Sequence, residues 1–265
     1  LAQTYVSRSS AKTPLLTAIR GSALEKNVHH GLEAMRILQE AGSMLGVMAA
    51  SYRVGAIQLF VFGACADAQV AFDTCLRLAA QTGNPTMETS ARLSLAMLDV
   101  QRGGTAEALI ALRPFESSAD IVVAHQARLF SARVYAREQR WEPALERALQ
   151  CQKAHTPWIR QWSYEVEASI YRGLQRPADA LGALERAAAE PRHAAERIVA
   201  PYLTVAHAET LHALGRHAEA RALLHELCDS LQRTAAGFEN RAYSRSFLND
   251  IEPHARAFVL ARAWA

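Results

Sequence analysis

The chain has 265 residues, half of them hydrophobic and 21% charged, with the charges mixed along its length. That is enough apolar material for one large core or a long repeat array, and it is not a disordered composition. Its 29 basic and 26 acidic side chains leave a formal net charge of +3, without the clustered Lys and Arg of a nucleic-acid binder.

Residues 1–14, "LAQTYVSRSSAKTP", carry no apolar core for a signal peptide and read as an N-terminal extension. The chain opens on Leu1 rather than Met, which suggests a piece of a longer protein or a processed chain. From residue 15 the apolar residues recur at three- and four-residue spacing, broken by short Gly, Pro or polar turns. Ala, Leu, Arg and Glu dominate and alternating β-branched runs are scarce, so an all-α chain is expected. The longest apolar stretch, "VGAIQLFVFGACA", is interrupted by Gln58 and glycines and is too short to span a bilayer. It reads as a buried helix. No membrane contact is expected.

A repeat then emerges. A small residue stands five positions after a turn glycine or its equivalent, at Ala34, Ala68, Ala108, Ala144, Ala180 and Ala220. Successive spacings are 34, 40, 36, 36 and 40 residues, the length of two helices and two turns. Twelve residues before five of these alanines stands another: Ala56, Ala96, Ala132, Ala168 and Ala208. Small residues at both places let two helices approach closely. Leu59, Leu95, Tyr135, Tyr171, Leu211, Phe72, Leu112, Leu184 and Leu224 fill the space around them. The tail from 233 falls outside the repeat, and Pro253 divides it into two helices that cap the last unit.

The segments "SARVYAREQRWEPALERALQC", "EASIYRGLQRPADALGALERA" and "AHAETLHALGRHAEARALLHEL" resemble the tetratricopeptide repeat. The resemblance covers residues 15–232, with looser units near Ala68 and Ala108 and the loosest near Ala34. It implies a right-handed α–α superhelix of about six helical hairpins, followed by C-terminal capping helices at 233–265. The long, uneven period is similar to the sensor arrays of bacterial multidomain ATPase regulators of the maltose-regulator type. The tail resembles the closing segment of large bacterial proteins that pair a nucleotidase domain with such repeats. The implied role is a protein-interaction or sensor module in signalling or transcription regulation.

Motifs for chemistry are missing from the sequence. Cys65, Cys75, Cys151 and Cys228 form no CxxC pair and read as free thiols in a reducing, cytoplasmic setting. The histidine-rich "LHALGRHAEARALLHEL" places His212 on one helix and His217 on the next, with Gly215 at the turn. His225 and Glu226 do not make HExxH, and a His225–Cys228 zinc pair has no evident partners. There is no GxxxxGK[ST], no GxSxG elbow and no strand-borne GxGxxG. No catalytic residue, metal or cofactor is therefore expected.

In the architecture so implied, the first helix of each unit lines an inner, concave face. Offsets from the aligned alanines place Arg53, Phe60, Gln101, Gln126, Arg133, Arg137, Trp162, Glu165, Arg172, Tyr202 and Glu209 there. Arginines mixed with large aromatics suit a protein or peptide partner, or a small anionic effector. The alternatives are a small-molecule sensor with an enclosed pocket and a stand-alone scaffold. The peptide-clamp version of the family holds a C-terminal carboxylate with Lys and Asn. Those places here carry Arg53, Leu93, Leu129, Glu165 and Val205, so that clamp is not implied. Arg241, Arg245, Arg256 and Arg262 are too scattered for direct nucleic-acid binding.

Overall fold

A computed structural model describes residues 21–104, 106–191 and 196–265. The expected extension at 1–14 and the start of the repeats at 15–20 lie outside the described residues. The described residues form thirteen α-helices and no strand. In order these are α1 (Gly21–Glu40), α2 (Met44–Ile57), α3 (Cys65–Thr82), α4 (Pro85–Gln101) and α5 (Ala106–Leu112). Next come α6 (Ile121–Arg137), α7 (Trp141–Cys151), α8 (Pro157–Gly173) and α9 (Pro177–Ala189). The last four are α10 (Glu196–Ala213), α11 (His217–Ala236), α12 (Arg241–Asn249) and α13 (Glu252–Ala263).

Neighbouring helices pair as hairpins, and the aligned alanines are where they meet. Ala68, Ala108, Ala144, Ala180 and Ala220 are fully buried, as are Ala132, Ala168 and Ala208. Leu59, Phe72, Leu112, Leu184, Leu211 and Leu224 pack around them with no exposed surface, each such burial contributing about 1.5–3 kcal/mol. Ala34 is only half-buried, in keeping with the looser match of its segment.

The turn inside each hairpin needs a left-handed residue five positions before the alanine. Gly63, Gly103 and Gly215 supply it, with φ of 67°, 85° and 77°. Gln139 and Gln175 occupy the same position in the two intervening turns, at φ 57° and 59°. The residue after each is tied back by its amide. Arg140 donates to the Tyr135 carbonyl at 2.9 Å, Arg176 to that of Tyr171 at 2.8 Å, and Arg216 to that of Leu211 at 2.9 Å. This is the Schellman closure of a helix C-terminus. Two of the helices that open a hairpin begin on side-chain caps, with Asn84 accepting from the Met87 amide and Asp120 from those of Val122 and Val123.

The chain divides into two compact units. The first holds α1–α5 with residues 234–252; the second holds residues 116–233 with 253–265. In the first, α2 continues through a π-helical segment at Gln58–Phe62. The resulting helix, Met44–Phe62, begins ten residues before the apolar stretch noted in the sequence and is, by length and composition, long enough to cross a membrane. The expectation that this segment is too short is corrected accordingly. Its Val47, Met48, Val54, Leu59 and Phe62 are buried, packed with α1, α3 and α4.

The tail differs from the expected simple cap. α13 packs within the second unit, where Trp264 stacks on His212 and Arg256 pairs with Glu209. α12 instead belongs to the first unit. There the Glu25 carboxylate of α1 accepts the Glu239 and Asn240 amides, both at 2.8 Å, at the start of α12. Ser246 donates to the Phe62 carbonyl at 2.8 Å. The Phe62 ring stacks on Tyr243 at 4.5 Å and meets Phe238 edge-on. Gly63 fits beneath because a Cβ there would stand 2.8 Å from Ile251 Cγ1 and 3.1 Å from the Ser246 carbonyl oxygen.

Candidate binding face on the first helices

In the second unit the first helices of successive hairpins touch one another, α6 against α8 and α8 against α10. These first helices therefore form a row of adjacent helices there. Arg133 of α6 lies with its guanidinium carbon 5.0 Å from the Trp162 ring centroid and 4.5 Å from that of Tyr202. Its Nη1 donates to Glu165 of α8 at 3.2 Å. Trp162 itself meets Phe130 edge-on at 5.5 Å and Tyr202 at 4.9 Å, with Trp158 at 6.2 Å.

A second arginine repeats the arrangement one hairpin on. Arg172 of α8 donates to Glu209 of α10 at 2.9 Å and to the Ala206 carbonyl at 3.3 Å. Arg256 of α13 takes the other oxygen of Glu209 at 2.7 Å. The ion pairs thus run from each first helix to the next, and they tie hairpin to hairpin. Where the sequence suggests exposed side chains, the structure buries the centre of this group. Trp162 is 2% exposed, Tyr202 7% and Arg133 8%. The physical reason is that the aromatic rings and the arginine stem cover more apolar area between α6, α8 and α10 than they would in water.

One polar atom in this cluster is unsatisfied. The Trp162 indole nitrogen is buried and has no acceptor among the described residues. A buried donor without a partner costs roughly 1–3 kcal/mol. Of the remaining expected residues, Gln126 is half-buried and Arg137 exposed near the end of α6. Arg53, Phe60 and Gln101 belong to the first unit. Arg53 is exposed, Phe60 half-buried, and Gln101 keeps a buried amide oxygen without a partner among the described residues.

The sequence reading missed a second constellation. His212 and His217 lie with their Nδ1 atoms 3.1 Å apart across the Gly215 turn, and Trp264 stacks on His212 with centroids 4.0 Å apart. Partial burial holds His212 below the ordinary imidazole range, with His217 and Arg221 adding to the effect. The spacing of five across a tight helix turn is the signal that would have found the pair. His225 is exposed while Cys228, three residues on, is buried. Among the described residues no group of three or more His, Cys, Asp or Glu gathers as a metal site.

No protein-family model matches the sequence, and no curated protein matches it significantly. Among solved structures the chain is similar to a tetratricopeptide repeat protein from Parabacteroides merdae ATCC 43184. The two share 14% identity over 86% of this chain and 99% of that one, with a TM-score of 0.40. The likeness is a distant one between helical proteins.

Proposed function

We propose that this chain is a non-enzymatic helical-repeat module that binds a protein or peptide partner on the face of its first helices. In the same proposal it forms the C-terminal sensor or interaction part of a larger bacterial signalling or transcription-regulating ATPase. It acts in the cytoplasm and contacts neither nucleic acid nor membrane directly. The supporting observation is the Arg133–Trp162–Glu165–Tyr202 cluster with its unsatisfied indole N–H. Buried Trp, Tyr and Arg are the side chains that carry most of the energy at binding hot spots.

The pairing refines the kind of ligand. Arg133 and Arg172 each face a glutamate, so both guanidinium groups are already engaged by carboxylates. What it offers is one donor, the Trp162 N–H, amid aromatic surface. A ligand with a hydrogen-bond acceptor on an apolar body meets that description. The depth of Trp162 favours a second reading, a small effector rather than a peptide main chain.

A thermal-shift screen of the intact chain against metabolites and peptides tests both. Native-state binding raises stability by about 2.7 kcal/mol at a hundred times Kd. Trp162→Phe keeps a large ring and removes the N–H, and is expected to abolish the response to a true ligand of this site. A ligand that stabilises wild type and Trp162→Phe equally binds elsewhere, and the cluster is then only packing. Saturation by one metabolite selects the sensor reading; saturation by a peptide selects the partner reading.

A further inference from the structure

We propose that His212 and His217 form a two-imidazole site for a divalent transition-metal ion at the turn between α10 and α11. This is independent of the binding face described above. His212 stands in the last turn of α10 and His217 is the first residue of α11. The backbone between them is closed by Gly215 donating to the His212 carbonyl at 3.0 Å and Arg216 to that of Leu211 at 2.9 Å. Both rings therefore project from a fixed frame rather than from a loose loop.

The separation of the two Nδ1 atoms, 3.1 Å, has two compatible chemical meanings. Without an ion it is an N–H···N hydrogen bond, one imidazole donating from Nδ1 and the other accepting. With an ion it is close to a chelate bite. Two imidazole nitrogens each 2.0–2.1 Å from a tetrahedral zinc stand about 3.3 Å apart. Passing from one state to the other turns the exposed His217 ring, because the centroids lie 4.4 Å apart with the planes at 60° and two imidazoles on one tetrahedral ion stand about 5 Å apart. The donating ring moves its proton from Nδ1 to Nε2, so two neutral imidazoles present lone pairs to the ion. Protein and ion exchange no net proton.

Trp264 supports the geometry from outside. It lies nearly parallel to His212, with 8° between the planes, and so fixes the ring that must point at the ion. The charged groups nearby are otherwise engaged or screened. Arg216 pairs with Glu219, and Glu209 is held by Arg172 and Arg256. Arg221 is exposed, one turn along α11, where salt screens its repulsion. With two protein ligands the remaining positions fall to water, which suits an exchangeable Zn²⁺, Cu²⁺ or Ni²⁺ ion. His29 and His30 provide an internal comparison. Their rings are 6.3 Å apart on α1, and adjacent residues on a helix diverge.

The test is titration of the intact, tag-free chain with Cu²⁺, followed by electron paramagnetic resonance and calorimetry, with Zn²⁺ in parallel. The expected result is one equivalent bound with two-nitrogen coupling. His212→Ala and His217→Ala should each weaken binding by roughly tenfold or more and remove one nitrogen from the spectrum, whereas His29→Ala should change neither. Circular dichroism confirms that the exposed His217 variant stays folded. Equal binding by wild type and His217→Ala overturns the proposal, as does the absence of any binding tighter than millimolar. A spectrum unchanged by either substitution assigns the ion to another, adventitious place and also overturns it.

Discussion

Arg133 is where residue chemistry and architecture meet. Its stem and guanidinium fill the space between two aromatic rings, and its charge is answered by Glu165 from the next first helix. Arg133→Ala removes one cation from a carboxylate that is only 13% exposed and empties the space between two rings, and a loss of about 2–4 kcal/mol is expected in chemical denaturation. Arg36→Ala, on the exposed side of α1, should leave the denaturation midpoint essentially where it is in wild type. His207 gives the second residue-scale expectation. It is buried, and desolvation pushes its pKa down to about 4, with Arg216 adding and Glu219 opposing. The unfolded chain binds this proton from about pH 6.5 downward while the folded chain does not, so stability is present above pH 6.5. It falls as pH drops toward 4, by about 3 kcal/mol in all. His207→Gln should flatten that part of a stability–pH curve. Both features were only half legible. The sequence indicates which side chains share the first helices, but a pair such as Arg133 and Glu165, thirty-two residues apart, leaves no trace in a helical period. Burial of the arginine follows from its aromatic neighbours and cannot be read from its own offset.

At the scale of elements, the hairpins were the most legible part of the molecule. Ala68, Ala108, Ala144, Ala180 and Ala220 are all fully buried, and the turn residue five positions earlier is left-handed in every case. The sequence marks three of those turns with glycine and two with glutamine, so the equivalence of Gln139 and Gln175 is recovered only through the alignment. A left-handed non-glycine residue is strained by roughly 1–2 kcal/mol. Gln139→Gly and Gln175→Gly should therefore each raise stability by roughly 0.5 kcal/mol, the gain being reduced by the freer unfolded chain. Gly215→Ala is the converse. A Cβ there meets nothing within 4 Å, so its expected loss of about 1 kcal/mol reports backbone strain alone. Thermal melts of the three variants check the set. What the element pattern does not reveal is α12. Its amphipathic face is plain in the sequence, but the surface that receives it is built from α1 and the π-helical segment, far back along the chain.

On the scale of the whole chain, the two units draw on non-contiguous stretches: each takes part of the tail. In the first unit Phe62 has no exposed surface, and Phe238, Tyr243 and Ser246 are among the groups that make it so. Deleting residues 234–265 should uncover Phe62 and leave Glu25 without the two amides it accepts. Increased binding of a hydrophobic dye and faster amide exchange in α1 and α2 are the expected readouts. An unchanged exchange pattern would mean that those helices hold without the tail. The same dependence orders events during synthesis. Ser246 is made 184 residues after Phe62, which at ribosomal rates of about 5–20 residues per second is a delay of roughly 10–40 s. Over that interval α1 and α2 emerge from the ribosome without their covering helix, their aromatic and apolar surface open to any chaperone in reach. The nascent chain thus depends on residues 234–252 to finish what residues 21–62 begin.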